Sequence, residues 1–182
     1  MVRILFICSA NICRSPMAEG FLRKAVTDRS GDTLVNSAGF LGSNSPPPPD
    51  ACTVMRSYDI DVSQHRSVNI SDIKPVEFDL ILTMETEHIR RVVVFEQSLS
   101  LHKIYTLKEF VQRAQPYGPK KHNQNVDDWL KLINGHRKAI DLMAYDSGYD
   151  VADPYGKGIK AFESTAQELY ELTSHVCNLL SI

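Results

Sequence analysis

Two short stretches of the chain carry residue types that could do chemistry together. The first is CSANICRSP, residues 8 to 16, directly behind the apolar run VRILFI. Cys8 and Arg14 lie six positions apart and Ser15 follows, a C-x5-R-S pattern. A loop of that length opening a helix turns backbone N–H groups toward one point, and the helix N-terminus adds positive potential. That is an anion cradle of phosphate size, and Arg14 offers a planar fork for two more phosphate oxygens. The same field favours the thiolate of Cys8, a nucleophile aimed at phosphorus. Ser15 can donate a hydrogen bond to the sulfur and steady it as a leaving group. A buried cysteine at a strand end, followed by an ordinary helix, fits the same letters.

The second stretch is ADPYG, residues 152 to 156. Expelling an oxygen from phosphorus is easier when an acid protonates it. Asp153 sits on a turn stiffened by Pro154, with Tyr155 beside it as a pocket wall. Asp-Pro is also plain turn chemistry, and taken alone that is the better reading.

These residues need elements to position them. Residues 2 to 7 read as a strand buried on both faces. Ser15 and Pro16 read as the N-cap and first position of a helix. Apolar runs at 33–40, 78–84 and 102–107 read as further strands. Helices are expected from Asp50 to about Tyr58, over 85–97, over 107–114, over 126–144 with Gly135 inside, and from Ile159 to Leu180. Alternating strands and helices argue for a parallel sheet covered on both faces. The proline run at 46–49 reads as a stiff loop rather than a partner's ligand. Trp129 reads as core.

The bulk composition narrows the class. With 182 residues, 43% hydrophobic, the chain suits one globular domain over 1–182, with a helical insert at 108–145. A net charge of −2 gives no general attraction to nucleic acid or anionic membrane. No apolar stretch approaches a membrane span, and no export signal is evident, so the cytoplasm is the expected location. The four cysteines, Cys8, Cys13, Cys52 and Cys177, include no C-x-x-C pair, so a structural zinc site is not expected.

ILFICSANICRSPMAE is similar to the N-terminal signature of the low-molecular-weight protein tyrosine phosphatases, and DPY resembles their acid loop. The likeness extends through VNSAGF, DIDVSQHRS and FDLILTM, over about residues 2 to 107 and 146 to 180. It implies Cys8 as nucleophile, Arg14 as phosphoryl binder and Asp153 as general acid and then base. It implies a phosphate loop of Ser9, Ala10, Asn11, Ile12, Cys13 and Ser15. Asn11 would hold that loop's strained backbone through Ser37 and His65. Cys13 matches a cysteine that can form a reversible disulfide with the nucleophile. Ile12, Phe40 and Tyr155 would form the substrate pocket. Phosphotyrosine proteins are the implied substrates, with no metal and no other cofactor, because amides and Arg14 carry the phosphoryl charge.

The expected fold is a three-layer α/β arrangement with a four-stranded parallel sheet in the order 2-1-3-4 and the site at the C-terminal end of strand one. The chain departs from the family pattern at Gly156, where many relatives have a second aromatic. It lacks a Trp or Tyr after SAGF, and its 108–145 segment is longer. Thiol-dependent arsenate reductases resemble the same cradle but need a cysteine pair in mid-chain that is absent here. Protein arginine phosphatases favour Thr at the position of Ile12, whose branched apolar side chain suits an aryl ring better than a guanidinium. Phosphocysteine carriers of sugar-transport type lack the arginine and the Asp-Pro acid. A silent phosphate-binding module would not need Cys8, Arg14, Ser15 and Asp153 together.

Overall fold

In the computed structural model, which describes residues 1–29, 32–135, 137 and 147–182, the strands lie side by side in one parallel sheet. They are β1 (Val2–Cys8), β2 (Thr33–Gly39), β3 (Leu80–Thr83) and β4 (Ile104–Thr106), in the order β2-β1-β3-β4. β1 alternates between two cores. Ile4 and Phe6 join Leu80, Leu82 and Tyr105 on one face, while Leu5 and Ile7 join Ile81 and Ile104 on the other. All of these side chains are buried, which is why the run has no polar alternation. Each contributes roughly 2 kcal/mol by leaving water.

Helices cover both faces. α1 (Arg14–Asp28) and α6 (Ile159–Leu180) pack together on the first face, joined by α2 (Pro49–Arg56) and α4 (Leu107–Ala114). α3 (Thr86–Phe95) supplies Ile89 and Val92 to the second core. α5 (Val126–Asn134) lays Trp129, Leu130 and Ile133 against Phe110, so Trp129 is core as expected. No helix among the described residues is long and apolar enough to cross a membrane.

Several boundaries differ from the sequence expectation, each for a local reason. α1 begins one residue before Ser15, with Cys13 at the N-cap and no side-chain cap. The first-turn N–H groups of α1 are therefore left for another acceptor. α2 starts at Pro49, so Asp50 lies inside its first turn rather than at its cap. β4 is shorter than 102–107 because a 3-10 turn takes Leu101–Lys103. α5 does not run through Gly135: it stops at Asn134, where Gly135 takes φ 53° and leaves the helical path. The remainder of the expected 126–144 helix, from residue 138, lies outside the described residues.

The C-terminal ends of β1 and β2 meet tightly. Cys8 pairs with Gly39 in register. A Cβ on Gly39 would stand 2.8 Å from Asn11 N, 2.9 Å from Ser9 O and 3.0 Å from Ala10 C, all backbone atoms that cannot step aside singly. Gly39→Ala should lower stability by about 1–3 kcal/mol and distort the loop after Cys8. Urea unfolding and an activity assay test this together. An unchanged midpoint with full activity would contradict the close approach.

Candidate active site

The loop from Cys8 to Arg14 turns on Asn11, which takes φ 55°. Asparagine tolerates this left-handed conformation better than most side chains, and here its amide locks it. Asn11 Oδ1 accepts from Val68 N–H at 2.8 Å, which fixes the orientation of the amide. Nδ2 then donates to Ser15 Oγ at 2.9 Å and to Ser37 Oγ at 2.8 Å. The Asn11 carbonyl accepts from His65 Nε2 at 2.8 Å, so that ring nitrogen carries the proton.

Proton direction follows by counting. Ser15 Oγ accepts from Asn11, which leaves its own proton for Cys8 Sγ, 3.0 Å away. Asn11 N–H donates to the same sulfur at 3.3 Å. Two donors on one sulfur stabilise its anion. Ser37 accepts from Asn11 and donates to Glu19 Oε2, and the other oxygen of Glu19 pairs with Arg23 at 2.6 Å. Sequence reading reached Asn11, Ser15, Ser37 and His65 but missed Glu19, which closes this chain from the second turn of α1.

Arg14 is buried, with 2% of its side chain exposed, yet it faces two carboxylates. Nη1 pairs with Glu85 and donates to the Val151 carbonyl at 3.0 Å. Nη2 pairs with Asp153 Oδ2 at 2.9 Å and reaches Ser9 Oγ at 3.5 Å. Glu85 was not anticipated. It follows β3, the parallel neighbour of β1, so the crevice beyond the strand ends was its only signal.

The acid segment is stitched to the same crevice. Val151 N–H donates to Met84 O at 2.8 Å. Asp150 accepts from Thr86 N–H at 2.8 Å, capping α3 from 64 residues away, and Lys108 Nζ donates to the Asp150 carbonyl at 2.7 Å. Asp153 Oδ1 accepts from Tyr155 N–H at 3.2 Å, a turn that presents its other oxygen to Arg14.

These elements enclose a cavity of about 310 Å³. Cys8, Ser9, Ala10 and Arg14 line it at the loop, Ile12, Cys13, Leu41 and Tyr155 give it apolar and aromatic walls, and Asp153 completes it. The structure does not bring Phe40 there. The chain turns after Gly39, and Phe40 packs toward α3, its ring 5.7 Å from that of His88 with Arg91 stacked at 3.9 Å. Leu41, 57% exposed, takes the pocket place that Phe40 was expected to hold.

Electrostatics separate the two cysteines of the loop. Burial, then the negative charge of Cys8 and Asp153, push the Cys13 thiol up to about 12 against the pull of Arg14, so Cys13 is neutral at ordinary pH. All four cysteines are free thiols here. His88, also unanticipated, lies buried behind the loop with Nε2 3.0 Å from Ser9 Oγ. Burial, and then the charges of Arg14 and Arg91, push its pKa down to about 4, with Asp150 and Asp153 opposing.

A cysteine sulfur facing two donors, a buried arginine and an aspartate thus line one small cavity at the strand ends of an α/β sheet. A sequence profile of the family described as low molecular weight phosphotyrosine protein phosphatase matches residues 3–138, and the chain belongs to that family. It is 43% identical over 132 residues to a probable low molecular weight protein-tyrosine-phosphatase, EpsP, of Ralstonia solanacearum, covering 71% of this chain and 87% of the relative. It is 28% identical over 179 residues to a protein-arginine-phosphatase of Bacillus subtilis (strain 168), covering 97% and 95%. The crystal structure of a low molecular weight protein tyrosine phosphatase from T. tengcongensis superposes with a TM-score of 0.68 at 30% identity, covering 97% of each chain.

The neutral state of His88 has a consequence for stability. Unfolded, the ring takes up a proton near 6.5, but folded only near 4. Between those values the unfolded chain binds the extra proton, so stability rises with pH across the window and falls on acidification. Urea unfolding should show the wild type losing more stability than His88→Gln between pH 6.5 and about 4.5, by on the order of 2 kcal/mol. Equal losses in both proteins would mean that other groups carry the acid sensitivity.

Proposed function

We propose that this chain hydrolyses phosphotyrosine in proteins in two steps, through a phosphocysteine on Cys8. The observation that carries this reading is the placement of Cys8 Sγ between two hydrogen-bond donors at the base of a cavity that Arg14 and Asp153 also line. The substrate phosphoryl group would accept from the free N–H groups of the loop and the first turn of α1, and from the Arg14 fork. It would take over the edge of Arg14 that Asp153 now holds. Glu85 would keep the guanidinium in place while that exchange occurs.

In the first step the Cys8 thiolate attacks phosphorus, the P–O bond to the phenol breaks, and Asp153 gives its proton to the departing oxygen. In the second step water attacks phosphorus, Asp153 takes a proton from it, and the P–S bond breaks. Cys8 leaves as a thiolate, steadied by Ser15. Ile12, Leu41 and Tyr155 would flank the aryl ring, and none of them carries a carboxylate to pair with a guanidinium. That favours phosphotyrosine over phosphoarginine. Within the segment 108–145, Lys108 reaches toward this site, and its bond to the Asp150 carbonyl supports the segment that carries Asp153.

Cys8→Ser should abolish turnover while retaining vanadate binding; persistent turnover would remove Cys8 from the nucleophile role. Asp153→Asn should slow phenyl phosphate by roughly 10²–10³-fold and p-nitrophenyl phosphate, whose leaving group needs less help, by much less. Equal losses would argue against Asp153 as the acid. Phosphate release from matched peptides bearing phosphotyrosine, phosphoarginine or phosphoserine tests the substrate class. Faster release from phosphoarginine would overturn the reading of Ile12.

A further inference from the structure

Ser9, the residue after Cys8, is held more firmly than an ordinary loop serine. Its carbonyl accepts from Phe40 N–H at 2.7 Å and from Leu41 N–H at 3.0 Å, which fixes its backbone. Its side chain lines the cavity, with Oγ 3.0 Å from His88 Nε2 and 3.5 Å from Arg14 Nη2. The direction of each hydrogen bond can be derived.

His88 is 2% exposed, and its Nδ1 has no protein hydrogen-bond partner among the described residues. An orphaned buried N–H is rarer than an orphaned buried acceptor, which puts the ring proton on Nε2. The Glu85 carboxylate, 3.9 Å from Nε2, draws the proton to the same side. Arg14 can only donate. The Ser9 oxygen therefore accepts from both the imidazole and the guanidinium, and these fill its two lone pairs. Its own proton must point elsewhere, and the open direction is the cavity.

We propose that the Ser9 hydroxyl is a further hydrogen-bond donor to the phosphoryl group in the transition state, and that His88 is the residue that positions it. This rests on the phosphatase reading above and assigns a role to a residue outside the cysteine, arginine and aspartate that carry the chemistry. Ser9 is the group that touches substrate. His88 acts only through it, its ring steadied from behind by Phe40 and Arg91.

Nitrogen NMR of the labelled protein reads the His88 tautomer directly, and the proton is expected on Nε2. A proton on Nδ1 would overturn the proposal, since Nε2 would then accept the Ser9 proton and withdraw it from the cavity. Kinetics with p-nitrophenyl phosphate supply the second test. Ser9→Ala should lower kcat about tenfold with KM nearly unchanged, because the lost bond matters most in the transition state. His88→Leu should lose a similar factor, and His88→Gln, whose amide N–H reaches the Nε2 position, should recover most of it. The double variant Ser9→Ala/His88→Leu should be no slower than the slower single variant. A Ser9→Ala rate within about twofold of wild type, or losses that simply multiply in the double variant, would refute it. Ser9→Ala alters a small, half-buried loop side chain, so it keeps the test decisive if His88→Leu fails to fold. Cys8→Ser runs beside these as a blank. Turnover there would refute the phosphocysteine reading on which the proposal rests, whereas a dead blank with an unaffected Ser9→Ala would refute only the role of Ser9.

Discussion

The left-handed backbone at Asn11 is the constraint on which the remainder of the site depends. Without it the chain between Cys8 and Arg14 could not turn its N–H groups toward the sulfur. A non-glycine residue there costs about 1–2 kcal/mol of local strain. The hydrogen bonds that Asn11 donates to Ser15 and Ser37 and accepts from Val68 and His65 offset it, each contributing on the order of 1 kcal/mol. The strain persists because three separate segments over-determine it: β2, the start of α1, and the loop that carries residues 65 and 68. The cradle is therefore in place before any anion arrives, so little reorganisation is needed at the moment of reaction.

The sheet order makes this possible. With β1 between β2 and β3, the loop after Cys8 is flanked by Gly39 on one side and by Met84 and Glu85 on the other. β2 and its sequel supply the neutral hydrogen bonds that shape the loop. β3 and its sequel supply the charge and the anchor for the acid segment. Glu85 has about a third of its side chain exposed and Asp153 nearly half, so the inner carboxylate is held while the outer one is free to exchange. Holding Arg14 with one fixed and one exchangeable partner keeps a buried guanidinium paired in both states, which avoids the penalty of a bare buried charge.

The strands and the C-x5-R-S loop were legible in the sequence because they depend on local patterns, while the strand order came with the resemblance. An apolar run on β1 and a fixed six-residue span from Cys8 to Arg14 declare themselves within one short segment, whereas the Asp-Pro turn read as ordinary turn chemistry until the resemblance gave Asp153 a role. Ser37 and His65 came only through resemblance, since their partner Asn11 is distant in sequence. Glu19, Glu85 and His88 were missed because nothing in their own neighbourhoods marks them: each is an ordinary polar residue on or beside a helix until the fold sets Glu19 against Ser37 and brings Glu85 and His88 to the loop after β1. Phe40 was misplaced by one residue for a related reason. Strand alternation carries a side-chain direction only as far as the strand, and β2 ends at Gly39. The end of α5 at Gly135 turns on a backbone angle, which apolar periodicity does not encode.

The cavity divides its tasks between parts of differing firmness, and that division bears on substrate choice. The phosphoryl end is built from buried residues tied on every side. The leaving-group end is built from Ile12, Leu41 and Tyr155, the last two 57% and 62% exposed. Such side chains can close on a flat ring at little conformational expense, because the ring returns apolar contact. A guanidinium in the same place would shed water and find, among the side chains lining the cavity, only the carboxylate of Asp153 as a charged partner. In the mechanism proposed above Asp153 would hold a proton at that moment to release the leaving group, so the two demands on one carboxyl group would conflict. With a phenol they do not, since the oxygen that receives the proton is the only polar atom the leaving group presents to the pocket.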